Sequence, residues 1–381
     1  MKIAVISKAP IIGNVYDREA FDLFQAVGNN TGNLAFINAV DGHLVAEKEW
    51  MDWDFDPAYV NENFDFAFLV CANMINPYIN LDRLCAGIEQ LQVPVSAVSI
   101  GVQGPVGALE FDLHPSTLRF LHLISEKSVS FGVRGQSAAR YLSSVGIDNF
   151  RIIGCPSNFI NLDPNLGRDT LHSRPAVGDV AVHLELMDVA HQAPVIEKFK
   201  ELEGTVASTK MFVQSPLDYI ELARKTRNES FSERDKETLR LGFGWDGTQT
   251  PLEFARQKIR AYFSLEHWLD EMRLYDFSVG MRLHGNIVAI QGRVPGLVVV
   301  HDERTKELAE TLSVPHIALP TFLRASSYGQ LADRCLGALE SYDEVRVRLA
   351  KQYCLLFEEN ELKLSEKLLA FIGVSEVPAM A

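Results

Sequence analysis

The chain has 381 residues, more than a single hydrophobic core usually holds, so we expect two domains. Its formal net charge of −14 argues against nucleic-acid binding, which depends on neutralising phosphates with lysine and arginine, although a local pocket can still be positive. The five cysteines are widely spaced without a CxxC pair, which suits a reducing cytoplasm and indicates neither a disulfide framework nor a zinc site. No uninterrupted apolar run reaches about 18 residues, so we expect no membrane span.

In the N-terminal half, short apolar runs alternate with helical patterns. The predicted strands lie at residues 2–7, 64–70, 95–103, 128–133 and 150–154. The predicted helices lie at residues 17–27, 34–40, 81–91, 115–125 and 136–145. This alternation predicts right-handed βαβ units and a parallel sheet.

A stretch without apolar periodicity, at residues 161–179, separates this half from a second alternating half. The second half has predicted strands at 180–184, 210–213, 276–279 and 294–300, predicted helices at 193–203 and 262–274, and a polar, helix-rich region at 217–252. We predict the following organisation: an N-terminal Rossmann-like domain at 1–165, a linker at 166–180, a C-terminal Rossmann-like domain at 181–327, and C-terminal helices at 328–381 that cross back to the N-terminal domain.

The most informative stretch is Arg282-Leu283-His284-Gly285, which lies between a predicted strand and a short apolar helix at 286–291. The first N–H groups of a helix lack intrahelical partners and lie at the positive end of its dipole. A cationic pair at that point predicts a site for a small anion such as phosphate or carboxylate, at the carboxyl end of a strand. The alternative is structural: an arginine paired with a carboxylate and a histidine bonded to a carbonyl.

The same residues carry a family resemblance. The run from Tyr275 to Gly285, with Ala289, Pro295 and residues 302–305 after it, resembles the signature of polysaccharide pyruvyl transferases. Three earlier stretches resemble further motifs of that family, namely the Asn/Gly-rich loop at 28–34 and the segments 133–137 and 154–157.

The resemblance implies an α/β fold with two Rossmann-like domains facing a cleft (GT-B-like), in which helices flank parallel sheets. It also implies the activity: transfer of a pyruvyl group from phosphoenolpyruvate to a sugar of a polysaccharide, such as an exopolysaccharide, or of its precursor. The product would be a pyruvate ketal, with release of phosphate. Phosphoenolpyruvate would be a co-substrate, and we expect no cofactor and no metal, since no metal-ligand spacing occurs.

The candidate site residues follow from the motif and the resemblance. His284 and Arg282 are the catalytic candidates, with His284 as general acid or as stabiliser of the departing phosphate. The donor-binding candidates are Arg134, Arg282, Leu283, His284 and Gly285. For Arg134 the alternative is an arginine that packs the domains. The acceptor-binding candidates are Asn29, Asn30, Thr31, Asn33 and Gln103, for which a plain turn or a structural role is the alternative.

Two other functions stay open. One is a GT-B-type glycosyltransferase that uses a nucleotide-sugar donor, and the other is a non-catalytic binding protein with the same fold. The absence of GxxxxGK[ST], and of GxGxxG after the first strand, argues against a nucleoside triphosphate or a dinucleotide. The expected partners are phosphoenolpyruvate and a saccharide acceptor, either lipid-linked or nucleotide-linked. The expected location is the cytoplasm, at the inner face of the membrane if the acceptor is lipid-linked.

Overall fold

A computed structural model describes residues 1–105, 107, 113–172, 176–184, 189–225 and 229–373. The strands are β1 (Lys2–Ile6), β2 (Glu47–Met51), β3 (Phe66–Val70), β4 (Val95–Val98), β5 (Phe131–Val133), β6 (Phe150–Ile152), β7 (Asp179–His183), β8 (Ser208–Phe212), β9 (Ile259–Arg260), β10 (Phe277–Gly280), β11 (Gly296–Val300) and β12 (His316–Ala318). The helices of the first half are α1 (Ala20–Ala26), α2 (Asn33–His43), α3 (Pro57–Asn63), α4 (Asp82–Gln90), α5 (Pro115–Lys127), α6 (Gln136–Ser144) and α7 (Leu166–His172). Those of the second half are α8 (Val189–Glu203), α9 (Leu217–Arg224), α10 (Glu233–Phe243), α11 (Pro251–Lys258), α12 (Leu265–Met272), α13 (Leu283–Gln291), α14 (Glu303–Leu312), α15 (Leu319–Phe322), α16 (Tyr328–Ala338), α17 (Tyr342–Glu359) and α18 (Glu366–Phe371).

The first sheet is parallel and has the order β2-β1-β3-β4. A parallel bridge between Ile100 and Val133 connects it to the parallel pair β5-β6. Its inner strands are apolar and buried, as the sequence pattern predicts for strands covered on both faces.

The second sheet is also parallel, with the order β12-β11-β10-β7-β8-β9. If the six strands are numbered in chain order and the sheet is followed from β9 to β12, this is the doubly wound order 3-2-1-4-5-6. Neighbouring β7 and β10 therefore form the point at which the strand order reverses, and ligands of such sheets bind in the crevice beyond the carboxyl ends of those strands. The predicted fold class, α/β with parallel sheets flanked by helices, is confirmed.

The long helix α17 belongs to the C-terminal segment but packs against the first half. Phe357 packs edge-on against Phe68 of β3, and the Arg151 guanidinium of β6 pairs with Glu359. Residues 374–381 of the predicted C-terminal helices lie outside the described residues. Among the described residues, no helix is long and apolar enough to cross a membrane.

Several elements have no counterpart in the sequence prediction, among them α3, α7, β2, β9 and β12. The predicted linker contains α7, whose backbone amides at Gly167 and Arg168 are bonded to the Asp343 carboxylate, 2.7 and 3.0 Å away. The pattern also missed β2 and β12. Both are edge strands with partly exposed residues, so neither has the apolar run by which a buried strand is recognised.

Candidate functional site

Arg282 and His284 lie where β10 passes into α13. Arg282 is the N-cap of α13, and His284 is in the helix's first turn. The backbone carbonyl of His183, at the end of β7, accepts hydrogen bonds from the Met281 and Arg282 amides at 2.7 and 3.3 Å. The strand-to-helix turn is thereby fixed to the neighbouring strand, at the reversal point of the second sheet.

Glycine allows this close approach. Gly280 has φ 152°, and a Cβ atom there would overlap the His183 backbone. A Cβ atom at Gly285 would lie 2.5 Å from Cε1 of the His183 ring. Gly285 was expected to bind the donor through its backbone; in the structure it also makes room for His183 beneath α13.

Arg134 comes from the first half, directly after β5, and is 1% exposed. Its Nε donates to the Ser99 hydroxyl at 3.0 Å, and its Nη1 donates to Asn73 Oδ1 at 2.5 Å. Its Nη2 is buried and has no hydrogen-bond partner among the described residues. Gly101 makes the space for this side chain, since a Cβ atom there would lie 2.5 Å from Arg134 Cδ.

A cavity brings these residues together. Its polar lining consists of Asn30, Arg134, Gln214, Arg282, His284 and Arg304, and Leu283 and Leu308 complete it. Three arginine side chains therefore converge on one small space, one from the first half of the chain and two from the second. Such an arrangement favours a ligand with more than one negative charge.

The sequence analysis did not identify Arg304 and Gln214 as site residues. Arg304 lies in the first turn of α14, after β11, and its Nε is 3.5 Å from the Asp302 carboxylate. Burial opposes ionisation of Asp302, but Arg304, His301 and Thr305 outweigh it and lower the pKa of Asp302 to about 2. Gln214 follows β8, and its Nε2 is buried without a partner among the described residues.

His284 is buried among cations. Burial first, and then the charges of Arg134, Arg304 and Arg282, hold the pKa of His284 well below its usual value. Its imidazole is therefore neutral at neutral pH while the cavity contains no anion. Phe36 packs beside the ring with a centroid distance of 5.6 Å, and Cys155 Sγ lies 3.6 Å from its Nε2.

Of the four predicted acceptor residues in the Asn/Gly loop, two are accessible to a ligand and two bond to other parts of the protein. In the Asn/Gly loop, Asn30 lines the cavity and Asn29 is exposed with φ 60°. The Thr31 amide bonds to the Gln214 carbonyl at 3.1 Å, while the Asn33 side chain bonds to the Val27 carbonyl at 3.0 Å within its own loop.

Gln103 connects the two halves of the chain. Its Oε1 accepts from Asn73, the partner of Arg134, at 3.1 Å, and its Nε2 donates to the Asp302 carboxylate at 3.0 Å. A chain of polar contacts thus runs from Arg134 through Asn73, Gln103 and Asp302 to Arg304. A contact between Gln103 and an acceptor stays a prediction.

Helix α14 makes further contacts with the first half. The Glu303 carboxylate accepts from the Ser137 hydroxyl at 2.6 Å, and the Glu307 carboxylate accepts from the Ala138 amide at 2.8 Å. Both glutamates therefore act on the first turn of α6, immediately after Arg134, where negative charge is stabilising. Among the described residues, no group of three or more His, Cys, Asp or Glu side chains could hold a metal ion.

The sequence matches the family described as polysaccharide pyruvyl transferase over residues 35–303, which is more than half of its length. The chain belongs to this family. No curated protein matches it significantly.

Several solved structures are similar to this chain. MnaA of S. aureus, solved with UDP, is 13% identical over 93% of this chain and 97% of its own, with a TM-score of 0.47. HepE of Anabaena, solved with UDP and glucose, is 11% identical over 98% and 97%, with a TM-score of 0.46. The UDP-GlcNAc 2-epimerase of Methanocaldococcus jannaschii is 12% identical over 90% and 92%, with a TM-score of 0.44. These values do not indicate a shared ligand or activity.

Proposed function

We propose that this protein transfers the pyruvyl group of phosphoenolpyruvate to two hydroxyls of a sugar, forming a ketal and releasing phosphate. The observation that supports this most is the convergence of Arg134, Arg282 and Arg304 with His284 in one cavity. Phosphoenolpyruvate carries a carboxylate and a phosphate, and guanidinium groups bind both in bidentate geometry. The membership of the chain in the pyruvyl transferase family agrees with this ligand.

The arginines would hold the donor, and the first turn of α13 would add the backbone amides of Leu283 and Gly285. A bound donor brings negative charge against the three guanidinium groups. The arginine charges that, after burial, lower the pKa of His284 in the empty cavity are then offset, so its pKa rises. In this setting His284 can donate a hydrogen bond or a proton to the donor.

The chemistry requires a proton on the methylene carbon, which makes C2 of the pyruvyl group electrophilic. One sugar hydroxyl then attacks C2 and loses its proton. A second hydroxyl of the same sugar replaces the phosphate at C2, which closes the ketal and releases inorganic phosphate. His284 would act at the donor end of this sequence, as general acid or as stabiliser of the departing phosphate.

The acceptor is a saccharide, either nucleotide-linked or lipid-linked. Asn30 lines the cavity and Asn29 is exposed beside it in the chain, so this loop supports an acceptor position next to the donor. Asn30 Oδ1 accepts from the Gly32 amide at 2.9 Å, and the amide group of such a side chain also carries donors that suit sugar hydroxyls.

A binding experiment tests the donor assignment. Calorimetric titrations would use phosphoenolpyruvate, UDP and inorganic phosphate with the wild type, Arg282→Lys and Arg83→Lys. Arg83 is an exposed arginine on α4 and serves as the matched control. We expect phosphoenolpyruvate to bind the wild type and Arg83→Lys equally and Arg282→Lys more weakly, since lysine lacks the planar fork of donors.

Transfer itself is measured in two ways: as pyruvate attached to a saccharide by a linkage that acid cleaves, and as an equal amount of released phosphate. Binding of UDP without binding of phosphoenolpyruvate would contradict the proposal and favour a glycosyltransferase. Binding of phosphoenolpyruvate without transfer to any of a panel of free, nucleotide-linked and lipid-linked sugars would favour a binding protein.

A further inference from the structure

Cys155 lies in the first half of the chain but contacts the histidine of the second half. It follows β6 and precedes the short helical turn Pro156–Phe159, and it is fully buried. Its Sγ is 3.6 Å from Nε2 of His284, which is within hydrogen-bond distance for sulfur. The mechanism above uses His284 but gives Cys155 no role.

The surrounding hydroxyls determine which way this hydrogen bond runs. Arg134 Nε can only donate, so the Ser99 hydroxyl accepts from it at 3.0 Å and keeps its own hydrogen for another partner. Ser99 Oγ lies 4.0 Å from Cys155 Sγ, and Ser157 Oγ donates to the same sulfur at 3.1 Å. The sulfur thus accepts hydrogens from hydroxyls, which leaves the S–H hydrogen for His284 Nε2.

We propose that Cys155 is a positioning residue that donates its S–H hydrogen to His284 Nε2 and so keeps the hydrogen of the neutral imidazole on Nδ1. A neutral imidazole has one donor and one acceptor nitrogen, and the bond at one nitrogen decides the state of the other. With Nε2 as the acceptor, Nδ1–H is a donor on a ring that lines the anion cavity. The opposite tautomer would present a lone pair to an anion and repel it.

The position of the ring supports this role. Phe36 packs against the imidazole, and His284 is only 8% exposed, so a free exchange of the two nitrogens by ring rotation is opposed by packing. Among the described residues no hydrogen bond of His284 Nδ1 is present, so this nitrogen is open to a ligand. The identity of that ligand as the carboxylate or phosphate of phosphoenolpyruvate rests on the proposed function.

The tautomer can be measured in the resting protein. Long-range proton–nitrogen correlation spectra of protein labelled with [15N]histidine distinguish a protonated from a bare ring nitrogen. The signals of His284 are assigned by their disappearance in His284→Asn. In the wild type we expect them to show Nδ1 protonated and Nε2 bare. Cys155→Ser should retain this pattern because its hydroxyl can also donate, whereas Cys155→Ala should give a mixture of the two tautomers.

Cys85 provides the matched control. It is also a buried thiol of the first half, and it donates to the Ser116 carbonyl at 3.5 Å. Cys85→Ala should leave the His284 signals unchanged, although it removes the same volume. Affinity for phosphoenolpyruvate should fall about 2- to 10-fold in Cys155→Ala, as for one hydrogen bond, and recover in Cys155→Ser.

A wild-type His284 protonated on Nε2, or an unchanged tautomer in Cys155→Ala, would overturn the proposal for Cys155. If the tautomers follow expectation but no variant binds phosphoenolpyruvate, the role of Cys155 stands and the donor assignment fails. The two proposals are therefore tested separately.

Discussion

Replacement of Arg134 by methionine tests whether this arginine binds the ligand or only packs the protein interior. If Arg134 binds the donor, Arg134→Met removes a charge-assisted contact with an anion, which contributes about 1.5–3 kcal/mol. That range corresponds to a loss of affinity for phosphoenolpyruvate of roughly 10- to 150-fold at 25 °C. A packing arginine would give no such loss.

The effect on stability should be small. Arg134 donates to two side chains, of which Asn73 is partly exposed and can bind water, while the Ser99 hydroxyl also contacts Cys155. Methionine leaves no buried backbone group without a partner. It also removes a buried charge whose desolvation costs several kcal/mol and which Arg304 repels and Glu307 attracts. We therefore expect Arg134→Met to be within about 1 kcal/mol of the wild type in the absence of ligand, or more stable.

Arg346 is the matched control, since it is also fully buried. Its guanidinium donates to backbone carbonyls of Asn158 at 3.1 Å and Asp163 at 2.9 Å, and also to that of Asn161. Arg346→Met removes three hydrogen bonds from a charged donor, each of which contributes about 1.5–3 kcal/mol. The Asn158 and Asp163 carbonyls keep bonds from Gln291 and the Leu166 amide, and we expect a loss of about 3 kcal/mol or more.

Urea unfolding of both variants, with calorimetric titration of phosphoenolpyruvate, measures both effects. We expect Arg134→Met to lose affinity and keep its stability, and Arg346→Met to lose stability and keep its affinity. A large loss of stability in Arg134→Met with unchanged affinity would refute the reasoning and make Arg134 a packing residue.

Two further expectations concern buried histidine and glycine. Burial lowers the pKa of His43 to about 4 and that of His183 to about 3, and burial with the arginine charges lowers that of His284. The unfolded chain therefore binds more protons than the folded chain below pH 6.5, so the free energy of unfolding should fall as pH drops from 6.5 towards 4. In urea unfolding, His284→Asn should reduce the slope of the unfolding free energy against pH by about 1.4 kcal/mol per pH unit. In Gly285→Ala the new Cβ would overlap His183, so the variant should lose about 1–3 kcal/mol of stability and some turnover through displacement of the first turn of α13. The control is Gly42→Ala in α2, whose new Cβ meets no atom within 4 Å and which should be neutral or more stable by up to about 1 kcal/mol. A flat pH dependence, or equal stability of the two alanine variants in the same assay, would contradict these expectations.

The sequence pointed to those candidate residues of the cavity whose setting is local. Arg282 and His284 lie in a turn between an apolar strand and an apolar helix, and Arg134 has the same setting. Such a turn can be recognised from about ten consecutive residues, because strand and helix periodicity change at the turn. The parallel order of strands also followed from the alternation of strands and helices.

Arg304 and Gln214 could not be assigned in the same way. Each also follows a strand, β11 and β8 respectively, but their approach to Arg282 depends on the order of strands in the sheet. Strand order is set by packing between distant segments, which no local pattern records. In the structure Asp302 caps α14 and Glu303 accepts from Ser137 of the first half, which leaves Arg304 of this segment to line the cavity.

Gln103 shows a different limit. Its place at the end of a buried run predicted a position on the cleft side of the sheet, and in the structure both ends of its amide bond to side chains, Asn73 and Asp302. A sequence does not reveal whether an amide in a cleft is directed at a ligand or at the opposite wall. To decide between these two cases, the distance between the two walls of the cleft must be known.

One helix, α14, carries a candidate ligand-binding residue and also contacts the first half of the chain. It carries Arg304 into the cavity, while its residues Glu303 and Glu307 bind the start of α6 beside Arg134. An anion bound between Arg134 and Arg304 would therefore strengthen the association of the two halves of the chain. Linkage is reciprocal, so the free energy by which a bound anion strengthens the contact between α14 and α6 equals the free energy by which that contact strengthens anion binding. A change that loosens the contact should therefore weaken anion binding by up to this coupling free energy, even though it touches no ligand atom.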